Sequence, residues 1–503
     1  MGRYYLQTTR GRGAPPSSVA VGTPTLVQFV QTGWDTTTSY SGAPATTLQI
    51  TAPNPTGAMN FLALGLRYNK ALTIATVSDG TNTWAQPAAL SLPATTSGTD
   101  KIDFWYTAGA SSVQVVTVTF TGTLSGGAPS DVHGHLSEWF NVATSSAFDA
   151  GAVSDAGTSS PYTAGSFSAA SSSDLILSYG FQISNGAGTL SALTAGAQGS
   201  GFSLMGADLN AGGATTNYGH VAQYQVWSGS GSITPGFSTT GNTTAGYGVL
   251  AVAFKAATAG TAPSASPRIV CAVHYGFNEN IATPFQLPFP TSCNLIVGSW
   301  NSPSSGSGLL VSAATDSASN TWSFPSAANE NVSGDLGAQI FYAGNATCSP
   351  TLHDFSMTFD QYTANGDAML ILYGVTGAAT SPYDAGATIG GTLNGDNTTH
   401  VAVSSVTITP TTTQGIVFAN IAISWNDVQS VSVSGQTVTF DCAVNAALDD
   451  GQSGDSPLDQ DNGAAHVYHA NTSAETFVWT ANTGYTPSPG MGSWAAIAAA
   501  FTG

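Results

Sequence analysis

The chain has 503 residues, only 7% of them charged, and it is rich in Gly, Ser, Thr and Ala. Its 8 basic and 27 acidic residues give a formal net charge of −19, and no Lys or Arg follows Arg268. An acidic segment without basic residues cannot neutralise phosphates, which argues against a nucleic-acid-binding protein, and the sparse charge argues against a helical one.

The sequence predicts neither insertion into a membrane nor export through a cleaved secretory signal peptide. The longest apolar runs, near residues 249–254 and 494–501, are too short to cross a bilayer. The opening Met-Gly-Arg-Tyr-Tyr-Leu lacks the apolar segment of a secretory signal. We therefore expect a protein made in the cytoplasm of its host, although its composition is similar to that of extracellular β-proteins.

Residues 1–23 are predicted to form an extended N-terminal arm, because they lack the apolar periodicity of a core element. The arm is either a disordered terminus or a docking strap. The second alternative rests on the arginines and tyrosines in it, which are residue types that anchor interfaces. The candidate partner-binding residues are Arg3, Tyr4, Tyr5, Arg10 and Arg12.

The rest of the chain is a tandem duplication. Val-Ser-Asp-Gly-Thr-Asn-Thr-Trp84 recurs as Thr-Asp-Ser-Ala-Ser-Asn-Thr-Trp322, and Phe148-Asp-Ala-Gly-Ala matches Tyr383-Asp-Ala-Gly-Ala. The first motif is typical of a strand that ends in an Asp/Gly/Asn turn and is followed by an aromatic residue facing the core. We therefore predict that Trp84 and Trp322 are buried equivalents.

The duplicated segments predict two domains, residues 24–257 and 267–503, joined by a linker of small residues and prolines at 258–266. Alternating apolar residues such as Val431 and Val433 predict strands with one buried face, and no helix is predicted. Ten or so strands in each repeat suit a jelly roll. The predicted fold class is all-β, with two tandem jelly-roll-like β-sandwich domains preceded by the extended N-terminal arm.

Three groups of residues are candidate metal ligands. The acidic stretch from Asp449 to Asp461 is either a calcium loop or a solvated loop, and it lacks the later carboxylates of an EF-hand. His133 and His135 face one side of a strand, and the His466-Val-Tyr-His469 pair could approach Asp459 or Asp461, but neither pair has a third ligand at a recognised spacing. The sequence predicts no metal site and no cofactor.

The inventory for catalysis is poor. The chain has four glutamates, no Gly-x-Ser-x-Gly elbow and no Walker or dinucleotide loop, so we predict a protein that is not an enzyme. Most of the ten tryptophans lie on apolar strands or in duplicated motifs and are predicted to be core residues. Trp34 and Trp425 lie in polar surroundings and are the candidate glycan contacts.

All four cysteines lie in the second repeat. Without a Cys-x-x-Cys pair a zinc ribbon is not expected. The cysteines are either buried free thiols or partners in disulfides formed after release from the cell, and the sequence leaves the pairing open. They are Cys271, Cys293, Cys348 and Cys442.

The Asn-Thr-Trp turn, the Tyr-Ala-Gly strand end, the Phe/Tyr-Asp-Ala-Gly-Ala motif and the closing apolar strand together resemble the tandem β-sandwich repeats of phage structural proteins and bacterial surface proteins. This resemblance implies a fold and a display role, and it brings no catalytic residues. We therefore expect a phage virion structural protein, a capsid decoration or a head- or tail-attached spike, displayed on the particle surface.

The expected partners are capsid or tail proteins of the same particle, with further copies of the chain and host-surface glycans as additional candidates. Two alternatives stay open. One is a secreted bacterial adhesin or carbohydrate-binding surface protein, and the other is an enzyme whose site is not recognised in the sequence.

Overall fold

The structure, a computed structural model, is all-β and describes residues 21–34, 47–95, 100–121, 132–154, 161–185, 192–195, 201–210, 216–229, 231–240, 244–257, 267–277, 285–287, 292–303, 310–332, 336–349, 353–359, 368–393, 401–424, 427–443, 460–482 and 492–503. The only helix in this part of the chain is one 3₁₀ turn, Ser326–Ala328. The predicted all-β fold class is confirmed.

The described residues of the first half form eighteen strands. They are β1 (Thr25–Trp34), β2 (Thr47–Thr51), β3 (Asn60–Asn69), β4 (Thr73–Ser78), β5 (Ala94–Thr95), β6 (Asp100–Ala110), β7 (Val115–Thr121), β8 (Val132–Phe140), β9 (Phe148–Ser154), β10 (Tyr162–Thr163), β11 (Phe167–Ser168), β12 (Leu175–Asn185), β13 (Ala192–Ala195), β14 (Ser203–Asn210), β15 (Thr216–Val226), β16 (Ser232–Ile233), β17 (Gly236–Thr240) and β18 (Thr244–Phe254).

The second half adds seventeen strands. They are β19 (Arg268–Phe277), β20 (Phe285–Leu287), β21 (Leu295–Pro303), β22 (Val311–Asp316), β23 (Trp322–Ser323), β24 (Asn329–Val332), β25 (Leu336–Gly344), β26 (His353–Phe359), β27 (Ala368–Thr376), β28 (Tyr383–Leu393), β29 (Val401–Ile408), β30 (Gly415–Ser424), β31 (Asp427–Val433), β32 (Thr439–Ala443), β33 (Gln460–His469), β34 (Glu475–Asn482) and β35 (Gly492–Thr502).

One strand order occurs four times along the chain. In the first quarter, β1–β8, a sheet β1-β8-β3-β6 accompanies a sheet β2-β7-β4. The second quarter, β9–β18, has the sheets β9-β18-β12-β15 and β10-β17-β13. The third quarter, β19–β27, has β19-β27-β21-β25 and β20-β26-β22. The fourth quarter, β28–β35, has β28-β35-β30-β33 and β29-β34-β31. When the short strands β11, β16 and β24 are left out, each quarter has eight strands. Numbered from one to eight, they form the sheets 1-8-3-6 and 2-7-4, which is the order of a jelly roll.

Each predicted repeat therefore consists of two jelly-roll sandwiches stacked face to face. In the first half, Phe61 and Phe104 of the first quarter pack against Leu177 and Phe254 of the second. In the second half, Ile340 of the third quarter packs in one core with Phe418 of the fourth. Independent folding of the two predicted domains stays a prediction.

The two halves share one continuous sheet. Strand β1 pairs with β19 in parallel, with Phe29 opposite Cys271 and Val30 opposite Ala272, and the resulting eleven-stranded sheet contains strands of both halves. The five-stranded sheet of the second quarter covers one face of it in the first half. In the second half, the five-stranded sheet of the fourth quarter covers the opposite face. Because β1 and β19 are parallel and the covering sheets lie on opposite faces, a rotation of 180° about an axis parallel to these two strands relates one half to the other. The two halves therefore have pseudo-twofold symmetry.

The duplicated Asn-Thr-Trp motif forms a carboxylate-centred turn. Asp79 accepts hydrogen bonds from the backbone N–H of Asn82 at 2.7 Å and from the Trp84 indole at 3.0 Å. In the second half, Asp316 accepts from the Trp322 indole at 2.9 Å. The hydrogen bonds from Asn82 and Trp84 outweigh partial burial and lower the pKa of Asp79.

The prediction of equal burial for the two tryptophans is wrong in part. Trp84 is buried, while Trp322 is only half-buried. Trp322 lies in the short strand β23 at the edge of the long sheet, opposite Ala343, and packs on the rings of Phe341 and Phe355. An edge position leaves one side of its indole to solvent.

Candidate functional site

The predicted partner-binding residues lie outside the described residues, as does the linker at 258–266. Arg3, Tyr4, Tyr5, Arg10 and Arg12 belong to the undescribed start of the chain, and Trp425 is also outside. The backbone of Trp34 ends β1, while its side chain is outside the described part. Asp449 and Asp459 of the proposed calcium loop lie outside as well, and so does the side chain of Asp461.

A polar network with a buried centre lies where the two halves meet, and we call it the seam. It consists of Gln28, Asn54, Asn60, Glu138, Arg268 and Tyr468, together with the backbone of Gly57 and Ile269. Its residues come from β1, β3, β8, the segment after β2, and the strands β19 and β33 of the second half.

The carboxylate of Glu138 is the anionic centre of the seam. It is 2% exposed and accepts hydrogen bonds from Gln28 Nε2 at 2.6 Å, the Gly57 backbone N–H at 2.6 Å and Asn60 Nδ2 at 2.5 Å. The Arg268 guanidinium of the other half lies 3.9 Å from Glu138 Oε2. These donors replace the water that a buried carboxylate would otherwise require.

Asn54 connects the two halves directly. Its Nδ2 donates at 2.7 Å both to Gln28 Oε1 and to the Ile269 backbone carbonyl, and its own backbone carbonyl accepts from Gln28 Nε2 at 3.0 Å. The Tyr468 hydroxyl donates to Asn54 Oδ1 at 2.5 Å and accepts at 3.0 Å from the Ile269 backbone N–H. The residue Tyr468 is 37% exposed, but its hydroxyl bonds within the network, and burial raises the pKa of this hydroxyl. The seam therefore joins chain segments more than 400 residues apart through satisfied hydrogen bonds.

A second contact between the halves lies beside the seam. Gln114 Nε2 donates to the Thr439 hydroxyl at 2.7 Å and approaches the Ala52 carbonyl at 3.4 Å. Because β2 and β32 also contact each other, the small sheet of the first quarter lies next to the large sheet of the fourth on the same face.

Buried imidazoles lie between the stacked sandwiches of the first half. His133 and His135 lie on one side of β8, as predicted, and both are buried. Burial lowers the pKa of His135 to about 3, and burial together with the nearby Arg67 cation and His135 lowers that of His133. Arg67 itself forms a buried ion pair with Asp100 at 3.0 Å. The two histidines are therefore neutral core residues at neutral pH.

The second half holds a comparable cluster. His466 Nδ1 lies 2.8 Å from both carboxylate oxygens of Asp441, which also accepts a hydrogen bond from the Tyr373 hydroxyl at 2.9 Å. His274 lies on β19, where burial lowers its pKa to about 4 against the opposing charge of Asp441. Pairing of β33 with β32 places His466 beside Asp441. Asp459 and the side chain of Asp461 lie outside the described residues, so the predicted approach of His466 or His469 to these two carboxylates stays a prediction.

The Asp441–His466 pair has the geometry of the orienting half of a hydrolase triad. Its free nitrogen, His466 Nε2, has no hydrogen-bond partner among the described residues, and the His466 side chain is fully buried. An imidazole that no substrate can reach cannot act as a general base. Within the described residues, no group of three or more His, Cys, Asp or Glu side chains could hold a metal ion.

Sequence patterns identified the histidine pair and the duplicated turn, and they missed the seam. Asn54 belongs to no motif, Tyr468 was only the spacer between His466 and His469, and the partners of both are distant in the chain. The one available signal was Glu138, a rare glutamate within the apolar strand β8.

Comparisons with known proteins give no relative for this chain. No family model, curated protein or solved structure matches it. Among the helices of the described part, none is long and apolar enough to span a membrane.

Proposed function

We propose that this protein is a non-enzymatic structural protein displayed as a rigid body on the surface of a phage virion, as a capsid decoration or a head- or tail-attached spike. The observation that carries the proposal is the fusion of four jelly rolls into one unit by the β1–β19 sheet and the seam. Jelly rolls recur in viral capsids and in lectins, which is an analogy at the level of fold.

The use of the charged side chains supports a structural role. Glu138, Asp100, Asp441 and Asp79 each accept hydrogen bonds from neighbouring side chains of the same fold. Each of these carboxylates stabilises a turn, a sheet contact or the junction of the halves. Internal pairing of these four carboxylates is what a structural protein requires, because a buried charge that has no partner destabilises the fold.

Purified particles test the proposal. Quantitative mass spectrometry of density-banded virions should find this protein at a fixed, reproducible copy number relative to the major capsid protein. A chain truncated to residues 24–503 should fail to attach if the arm, with Arg3, Tyr4, Tyr5, Arg10 and Arg12, is the anchor. Recovery of the full-length protein only in the particle-free medium would contradict virion placement and favour the secreted alternative.

A second candidate function, binding of a neutral glycan, is favoured by one surface. The outer face of the small sheet β2-β7-β4 carries a row of Thr47, Thr119 and Thr76 in register, beside Thr121 opposite Thr73. Exposed or half-exposed hydroxyls at the regular spacing of a sheet can hydrogen-bond an uncharged polysaccharide.

A glycan array probed with the wild-type chain and with Thr119→Lys tests this second function. Binding that is lost in the variant would support it. A wild-type chain that binds no glycan would exclude it for the glycans on the array.

A further inference from the structure

Three cysteines of the second half meet at one end of the long sheet. Cys271 lies in β19, Cys293 precedes β21, and Cys348 follows β25. Cys271 and Cys293 are buried in the same core, and Cys348 packs against it. The backbone N–H of Ala346 donates to the Asn294 carbonyl at 2.8 Å, which holds the two flanking segments together.

Cys293 is the central sulfur of this group. Burial raises its thiol pKa, and contacts with the thiols of both Cys271 and Cys348 raise it further. All three cysteines are free thiols in the structure. A trio of thiols could in principle bind a soft metal, but among the described residues these side chains are not arranged to hold one.

We propose that this trio is a site of oxidative modification, in which Cys293 forms a disulfide with Cys348 and Cys271 stays a thiol. Only one bridge can form, because both neighbours compete for the same central sulfur. Cys348 is the partially exposed member, whereas Cys271 is fully buried. A soluble oxidant therefore reaches Cys348 first.

The chemistry balances with a small-molecule disulfide such as oxidised glutathione. The Cys348 thiolate attacks one sulfur of the oxidant, forms a mixed disulfide and releases one glutathione thiolate. The Cys293 thiol loses its proton to solvent, and its thiolate attacks the Cys348 sulfur and displaces the second glutathione thiolate. Two protein thiols are oxidised, and one glutathione disulfide is reduced to two thiols.

The bridge would close the segment 293–348 at a place where the fold already brings its ends together. Strands β21 and β25 pair with Leu295 opposite Gly344, so no strand has to move. A cross-link between native neighbours lowers the entropy of the unfolded chain and stabilises the folded one. Such a bridge would form on passage from a reducing cytoplasm to an oxidising exterior, and the inference does not depend on the proposed virion placement.

The test uses the full-length chain incubated with oxidised glutathione and then mapped by mass spectrometry. We expect a peptide cross-linked between Cys293 and Cys348, a mass loss of two hydrogens, and a melting temperature higher by about 5 °C. The rate of bridging should increase with pH, because burial disfavours the Cys293 thiolate.

Matched serine variants separate the alternatives. Cys348→Ser should abolish the cross-link, while Cys271→Ser and Cys442→Ser should leave it intact. A cross-link between Cys271 and Cys293 in the wild-type chain, a bridge to Cys442, or free thiols at both Cys293 and Cys348 after prolonged oxidation would overturn the proposal. Because these readouts are covalent, they stay decisive even if one variant is less stable.

Discussion

Asn54 is the residue through which the two halves contact each other most directly. Its amide accepts from Tyr468 and donates to the Ile269 carbonyl, and it is 7% exposed. Replacing Asn54 by Leu leaves the Ile269 carbonyl and the Tyr468 hydroxyl without this partner. We expect a loss of about 1–3 kcal/mol in the free energy of unfolding.

A double-mutant cycle with Tyr468→Phe isolates the bond across the halves. We expect a coupling energy of about 0.5–3 kcal/mol from denaturant unfolding of the two single variants and the double variant. Gln114→Leu is a control outside the Asn54–Tyr468 bond and should be additive with Tyr468→Phe. Additivity of Asn54→Leu with Tyr468→Phe would show that the hydrogen bond contributes nothing.

The two motif tryptophans give a residue-scale test of the duplication. Trp84→Ala removes a buried indole and its bond to Asp79, so it should cost about 3–5 kcal/mol. Trp322→Ala should cost less, because this indole is half-buried at a sheet edge. Thermal or denaturant unfolding measures both, and a larger loss for Trp322→Ala would contradict the assigned burial.

Acid should destabilise the protein through its buried histidines. The folded-state pKa is about 3 for His135 and about 4 for His274, below the ordinary value near 6.5 that applies in the unfolded chain. As pH falls from about 6.5 to 4, these histidines become protonated in the unfolded chain but stay neutral in the folded chain. The free energy of unfolding therefore decreases over this range. Burial raises the pKa of Asp103, and this carboxyl acts in the opposite direction at lower pH.

The histidine contribution is measured by comparing two pH profiles of the melting temperature. In the His135→Gln/His274→Gln variant, the decrease between about pH 7 and pH 4.5 should be smaller than in the wild-type chain, whatever the absolute stability of the variant. Parallel profiles would show that other groups set the acid sensitivity.

At the scale of elements, glycines in central strands permit the close stacking of sheets. Gly65 of β3 lies under the ring of Tyr179, and Gly180 of β12 lies under the ring of Phe237, so that a Cβ at either position would overlap the ring. We expect Gly180→Ala to cost about 1–3 kcal/mol through overpacking. Adding Phe237→Leu should recover part of the loss, and a Gly180→Ala variant as stable as the wild-type chain would contradict this packing.

The strand pattern and the duplication could be predicted from the sequence, because alternation and turn motifs are local signals. The division of each repeat into two sandwiches was not predicted. The Asp79–Trp84 turn recurs only at Asp316–Trp322, in the third quarter, so the second and fourth quarters share strand order with the others without sharing that motif. Strand order is a property of long-range pairing, which local periodicity does not encode.

Less of the seam than of the fold could be predicted from the sequence. The duplicated motifs drew attention to turns, whereas the seam depends on Asn54 and Tyr468, two residues 414 positions apart that belong to different halves. The predicted arm and the two glycan-contact tryptophans stay predictions. The predicted approach of His466 to Asp459 or Asp461 also stays a prediction, and the contact of His466 with Asp441 follows from the pairing of β32 with β33, which no local pattern indicates.

For the whole molecule, the proposed display role requires the two halves to form one rigid unit. The parallel β1–β19 pairing and the seam hold them together. A chain of two independent sandwiches on a flexible linker would instead sample many relative orientations.

Pulsed electron paramagnetic resonance on the full-length chain tests this claim most directly. Spin labels would be carried on non-natural amino acids at Ser78 of β4 and Ser312 of β22, which are exposed positions on equivalent strands of the two halves. We predict a single narrow distance distribution centred on the separation in the structure, which broadens in the Asn54→Leu/Tyr468→Phe variant. A broad or multimodal distribution in the wild-type chain would contradict the rigid four-sandwich body.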